Sequence, residues 1–226
     1  MGGRHAQARV VILALDTSTP ATTVAVGRDG GVLAERTVVD ARRHAEVLTP
    51  LIVAVLQAAA STMSELTHVV TGVGPGPYTG LRVGVVTALS LGDALGIPVL
   101  GVVSHDILAA GRPADAPHAL LVATDARRKE VFWSRYDGGH RVVGPAVDRP
   151  DVVAQQWPAM PVVGDGARQY SELLGQPLHP LLPSAATLAT LAMQRLSDGG
   201  TFEPAQPLYL RRPDAVERAT GPTVTP

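Results

Sequence analysis

No cysteine occurs among the 226 residues, which excludes disulfides, thiolate metal sites and a cysteine nucleophile. Lysine is almost as scarce: Lys129 is the one lysine, and arginine carries the rest of the basic charge. That replacement reads as a coding bias and not as chemistry. Charged residues make up 17% of the chain and aromatic residues 4%, with a formal net charge of −1. A chain that grips nucleic acid unaided is visibly basic, because neutralised phosphates supply most of that affinity. No apolar run is long enough to span a membrane. The leading MGGRHAQAR passes straight into VVILAL (10–15), too short for an export signal. The expectation is a cytoplasmic protein with no membrane partner. Its length and 46% hydrophobic content suffice for one large domain or two small lobes.

What is present in excess is glycine at one place. GVGPGPYTGLRVG (72–84) holds five glycines and two prolines in thirteen positions and leads into a helical pattern. A phosphate-binding P-loop requires a lysine after its last glycine, but Leu81 and Arg82 follow Gly80. The dinucleotide pattern fails as well, since Pro77 or Thr79 stands where its third glycine belongs. Pro75 and Pro77 each remove an amide donor. Behind the loop, Gly80, Gly84, Ala88, Gly92 and Gly96 recur at every fourth position beside an apolar row of Leu81, Val85 and Leu89. Glycine within a helix costs up to about 1 kcal/mol relative to alanine, so the stripe implies that another backbone approaches closely. That backbone belongs either to the chain's own sheet or to a partner.

Alternation and punctuation give the coarse architecture. Residues 10–15 read as a strand buried on both faces that ends at Asp16, followed by a turn, a strand, a tight turn at 29–31 and a third strand. A helix over 45–60, with Pro50 marking its first main turn or a kink, is followed by a strand over 67–73. The next helix starts at Thr79 or Gly80 and stops at Gly96 and Pro98, and another strand covers 98–104. The strand–Asp–turn–strand–turn–strand unit recurs over 118–148, with Asp125 in the place of Asp16. A strand and glycine turn (160–167) and a helix (185–200) complete the order. The expectation is an α/β chain of two related lobes, 9–111 and 112–213. The last helix of the second is able to pack on the first, and the polar tail 214–226 is expected to be disordered.

ILALDTSTPATTVAV, RRHAEVLTPLI, GPGPYTGLRVG, LGIPVLGVVSHDILA, DARRKEVF and YLRRP, in this order from residue 11 to about residue 213, resemble the TsaB (YeaZ-type) family. The resemblance implies the two-lobed actin/sugar-kinase/Hsp70-like (ASKHA) fold with a duplicated strand-meander core. It also implies a role without catalytic residues, as the shortened relative and binding partner of TsaD. TsaD transfers threonylcarbamoyl from its adenylate to the adenosine beside the tRNA anticodon, and the ATPase TsaE joins the complex. Contact with tRNA then comes through the complex, and a homodimer is expected when the chain is alone. The resemblance implies no cofactor of the chain's own, with room for a weakly held or interface-bound nucleotide.

The residues agree with lost chemistry. TsaD-like enzymes hold a metal with H-x-x-x-H, but here Gly101 stands at the first position and His105 alone at the second. Asp16, Thr17, Ser18 and Thr19 occupy the first nucleotide turn without a glycine. Asp125 with Arg127 occupies the second, where bulky arginines crowd a nucleotide but suit a phosphate or an acidic partner. Ser104 beside His105 raises a peptidase as a rival, although neighbours on a strand point apart. Asp16 raises a stand-alone ATPase or kinase. For a partner interface the candidates are Arg43, His44, Glu46, Leu51 and Val55 on the first helix and Tyr78, Arg82, Val85 and Leu89 on the second. Gly80, Gly84 and Gly92 are the candidate close-packing glycines.

Overall fold

The continuous apolar run of the first strand is explained by what lies on its two faces. In the computed structural model, which describes residues 9–210, β1 (Val11–Asp16) is buried throughout. It pairs antiparallel with β2 (Ala21–Arg28), and β2 pairs antiparallel with β3 (Gly31–Val39). On its other side β1 runs parallel to β4 (His68–Gly72), which pairs with β5 (Val99–Val102). The sheet order is β3-β2-β1-β4-β5. Successive side chains of a strand alternate between faces. Val11, Leu13 and Leu15 therefore meet Leu48, Ile52, Val55 and Leu56 of α1 (His44–Ala58) and Ala88 of α2 (Tyr78–Leu95). Ile12 and Ala14 meet Ile107 of α3 (Ser104–Ala110) and Leu188, Ala189 and Ala192 of α7 (Ala185–Ser197).

The second sheet repeats the plan. β6 (Leu120–Asp125), β7 (Val131–Asp137) and β8 (His140–Asp148) form an antiparallel meander, and β9 (Val162–Val163) adds a parallel strand beside β6. The order β8-β7-β6-β9 matches β3-β2-β1-β4 position for position. Asp16 and Asp125 thus end equivalent strands, as the repeated strand–Asp–turn unit predicts. α4 (Pro150–Gln156), α5 (Asp165–Gln169) and α6 (Ser171–Leu174) cover one face of this sheet around Val153, Ala167 and Leu174. This duplicated meander, with helices on the sheet faces, is the two-lobed actin/sugar-kinase/Hsp70-like fold.

The elements follow the sequence expectations with local differences. α2 begins at Tyr78, just ahead of the expected start at Thr79 or Gly80, and ends on Gly96 in the left-handed conformation (φ 63°). Pro50 lies within α1. The stretch expected as a strand through Ser104 ends at Val102, and Ser104 opens a helix the sequence reading missed. α7 lies on the first sheet although it follows the second in the chain, so chain order and packing part company there. The 214–226 tail lies outside the described residues. No helix among the described residues is long and apolar enough to cross a membrane.

Candidate functional site

The end of β1 and the first turn of α2 are built into one another. Asp16 is fully buried, and both its oxygens are occupied. Oδ1 accepts the Ser18 N–H (2.8 Å) and hydroxyl (2.7 Å), and Oδ2 accepts the Ser104 hydroxyl (2.6 Å). Burial pushes the Asp16 carboxyl above its ordinary range, against the bonds from Ser104 and Ser18 that pull it down. The Thr17 hydroxyl donates to the Gly80 carbonyl (2.7 Å) and accepts from the Gly84 N–H (3.1 Å). Those two groups are each other's partners in a regular helix, so Thr17 enters the ladder of α2. A Cβ at Gly80 would stand 2.6 Å from the Thr17 carbonyl oxygen, and one at Gly84 would collide with the Thr17 hydroxyl. At Gly92 it would collide with Val99. The close partner of the glycine stripe is therefore the chain's own β1 turn and β5.

The opening loop is fixed by the same groups. Ser104 Oγ receives the Gly74 N–H (3.1 Å), and the Gly74 carbonyl accepts the Ser104 N–H (2.7 Å). With Ser18 and Thr19 also buried, no oxygen of Asp16 faces solvent in this conformation. Gly101, at the first position of the incomplete H-x-x-x-H pattern, is paired with Glu203 through both backbone bonds (2.9 and 3.0 Å). A Cβ there would lie 2.6 Å from the Pro204 carbonyl oxygen. A histidine at this position would displace the returning chain.

Ser104 and His105 do not form a catalytic pair. His105 is fully buried in α3, with Nδ1 2.8 Å from Ser134 Oγ and Nε2 3.0 Å from Thr124 Oγ1. Burial first, and the Arg141 charge second, lower its pKa to about 3. It is a neutral core imidazole bound to the second sheet, while its neighbour Ser104 is bound to Asp16 in the first. At the second turn, Asp125 Oδ1 accepts the Arg127 N–H (2.9 Å), and Oδ2 lies 3.5 Å from the Arg127 guanidinium. Burial raises the pKa of the neighbouring Asp165, whose Oδ1 accepts the Asp125 N–H at 3.3 Å.

The nine interface candidates divide between core and surface. Val55 and Val85 are in the chain's own core at 0% and 1% exposure, and Leu51 packs against the same cluster. Val55 and Val85 are corrections, because side chains directed at the sheet offer a partner nothing, whereas Leu51 is half-buried and keeps part of its surface free. His44 is corrected too: it is buried at the start of α1, with Nδ1 2.7 Å from Thr22 Oγ1, and burial lowers its pKa. Arg43 and Glu46 are exposed and paired at 2.9 Å. Tyr78, Arg82 and Leu89 are exposed along α2, where Val86 (53% exposed) joins them, and Val53 is exposed on α1. Tyr209 stacks on Tyr78 with ring centroids 4.9 Å apart, and Arg82 donates to the Tyr78 hydroxyl at 2.7 Å. Val53 and Val86 escaped the sequence reading, although the four-residue period from Tyr78 through Arg82 leads to Val86. Nothing local signals that Tyr209 returns to this face.

The chain as a whole is similar to known proteins. The family model described as TsaD, tRNA N6-adenosine threonylcarbamoyltransferase, matches residues 17–203. The tRNA threonylcarbamoyladenosine biosynthesis protein TsaB of Escherichia coli is 30% identical over 232 residues, 93% of this chain and 98% of that protein. The chain belongs to the TsaB family. An uncharacterized Mycobacterium tuberculosis protein is 48% identical over 207 residues, 90% of this chain and 93% of its own. The structure of YeaZ from Pseudomonas aeruginosa superposes with a TM-score of 0.75 at 33% identity, covering 89% of this chain and 100% of that one.

Proposed function

We propose that this TsaB-family chain is the non-catalytic partner of a TsaD-family subunit in the synthesis of threonylcarbamoyladenosine on tRNA. The TsaD subunit carries out the transfer from threonylcarbamoyl-adenylate to the N6 amino group of the adenosine 3′ of the anticodon, with a TsaE-type ATPase in the complex. The observation that carries the reading is the sealing of Asp16 by Ser18 and Ser104 next to the exposed α1/α2 face. Buried aspartate with no open oxygen suits a structural turn, and exposed apolar residues on adjacent helices suit an interface. The partner surface comprises Arg43, Glu46, Val53, Tyr78, Arg82, Val86 and Leu89. Val55 and Val85 support that surface from behind. The reading includes a cytoplasmic location, no cofactor of the chain's own, any nucleotide being weakly held or at the interface, and a homodimer in the partner's absence.

A stand-alone ATPase or kinase would need Asp16 to turn outward, and a peptidase would need Ser104 and His105 to meet. Both residues are instead engaged with other groups. The deciding experiment is reconstitution with the TsaD and TsaE homologues of the same organism, tRNA and threonylcarbamoyl-adenylate, with and without this chain. The modified nucleoside is read by mass spectrometry. Modification that requires this chain, while the chain alone makes none, is the expected result. Equal modification in its absence overturns the reading.

A further inference from the structure

Elements from both halves leave a cavity of about 520 Å³ between them. Asp106 and Ala110 line it from α3, Leu191 and Arg195 from α7, and Arg141 and Val143 from β8. Asp106 with Ala110, and Leu191 with Arg195, stand one helical turn apart, so each pair presents a single helix face to the space. α7 packs on the first sheet, β8 edges the second, and α3 lies between the two. The cavity therefore spans the joint of the halves. Small-molecule sites favour such joints, and its volume is within their usual range.

Guanidinium groups dominate the wall. Asp106 fixes two of them. Arg195 Nη2 donates to its Oδ2 at 3.0 Å, and Arg141 Nε lies 3.3 Å from its Oδ1, which also accepts the Tyr136 hydroxyl (2.7 Å). Arg141 Nη2 reaches the half-exposed Glu203 at 3.5 Å. A guanidinium has more donors than these contacts use. Nε and Nη1 of Arg195 and Nη1 of Arg141 have no partner among the described residues. Arg112 stands at the rim beside Gly139, which also lines the cavity. Its Nη1 donates to the Ala109 carbonyl (2.9 Å), and it forms no ion pair among the described residues. The exposed Asp115 of the same loop is not paired with it. Asp137, beside the β7–β8 turn, lies on the opposite face of β7 from Tyr136 and pairs with Arg135 at 3.7 Å. Within ion-pairing distance, Arg112, Arg141 and Arg195 thus meet only Asp106 and Glu203 among the described residues, and positive charge is in excess.

We propose that this cavity binds a small molecule through an oxyanion group, a phosphate or a carboxylate, received by Arg195, Arg141 and Arg112. The proposal goes beyond the function given above and does not depend on it. Planar guanidinium forks match the paired oxygens of such groups. Asp106, itself held by Tyr136, positions two of the forks in advance, which lowers the ordering cost of binding. Ala110, Val143 and Leu191 give the rest of the ligand a short apolar wall. An anion received there touches α7 and β8 at once. It ties the halves together, and its binding adds to the stability of the fold.

The test is thermal melting and calorimetric titration of the full chain with inorganic phosphate, glycerol phosphate and succinate, each against sodium chloride at matched ionic strength. At least one should raise Tm saturably, by about 3 °C or more at about tenfold excess over its Kd. The probe that does so identifies the group as phosphate or carboxylate. Arg195→Lys keeps the charge beside Asp106 but removes the fork. Arg112→Glu sets a carboxylate at the rim without touching Asp106. Each should weaken that binding about tenfold or more. If Arg195→Lys does not fold, Arg112→Glu decides alone, because Arg112 bonds one backbone carbonyl and no core group. No rise beyond that in chloride overturns the proposal. A rise of equal size and affinity in both variants also overturns it, because the anion then acts elsewhere on the protein.

Discussion

Ser104 donates its hydroxyl to Asp16 Oδ2 at 2.6 Å, and the next residue, His105, binds Thr124 and Ser134 of the other sheet. One helical turn thereby joins the two related halves through adjacent side chains. Such a joint ties the halves together. It also withdraws from solvent the aspartate of the degenerate nucleotide turn.

Removing the donor should expose how much of this joint is structural. Ser104→Ala leaves a buried carboxylate short of a partner, which costs about 1–3 kcal/mol. Because burial raises the Asp16 pKa, the folded state binds its proton more tightly than the unfolded chain. Its contribution is therefore fullest at low pH and is lost as pH rises through the folded pKa. Asp16→Asn has no such titration, so wild type should lose stability relative to it as pH rises. Urea midpoints across a pH series measure both, and a pH-independent difference between the two proteins would refute the assignment.

His105 has the opposite sign. Its pKa in the fold is about 3, against an ordinary 6.5, so the unfolded chain takes up the proton first. Stability is full above pH 6.5 and falls as pH drops toward 3, by about 1.4 kcal/mol per pH unit. His105→Gln should flatten that part of the acid-unfolding curve.

Gly84 and Leu89 lie on one helix and should respond differently. A side chain at Gly84 meets the Thr17 hydroxyl, so Gly84→Ala should destabilise by roughly 1–3 kcal/mol and lower Tm. Leu89 is exposed, so Leu89→Asp or Val86→Asp should leave Tm nearly unchanged. Each should weaken binding to the TsaD-family subunit by about tenfold or more, as expected for a charge placed in an apolar contact. Calorimetric titration and thermal melts separate the two effects.

Asp106 is a second tie between the halves. It accepts from the Tyr136 hydroxyl (2.7 Å) and pairs with Arg141 (3.3 Å) and Arg195 (3.0 Å). Asp106→Ala leaves the largely covered Arg195 without this carboxylate and Arg141 with its second partner Glu203 (3.5 Å), and should cost roughly 1–3 kcal/mol. A proteolysis rate that stays at the wild-type value would show that the halves do not depend on this tie.

Much of the fold was legible because its signals are local. The apolar run into Asp16, its echo at Asp125 and the Gly96 stop of α2 each follow from strand period, repeat or cap chemistry. The helix at Ser104 was not legible, since PVLGVVS (98–104) reads as a strand until the bonds between Ser104 and Gly74 end it. The choice of Val85 over Val86 as a contact failed for a related reason. The row Leu81–Val85–Leu89 is apolar throughout, and only the sheet beneath α2 shows that Leu81 and Val85 turn inward while Leu89 is exposed.

By itself the sequence determined the succession of strands within each repeat, the family and the absence of both the first histidine of the H-x-x-x-H pattern and a glycine in the first turn. These depend on residue identity at fixed spacing. The tertiary structure alone decided which face of each helix is free, that Thr17 and not a partner fills the glycine stripe, and that Asp16 is closed. Those properties depend on contacts between residues sixty to ninety positions apart, Thr17 with Gly80 and Asp16 with Ser104 among them. No local pattern carries such contacts, because burial is a property of what packs on a residue and not of the residue itself.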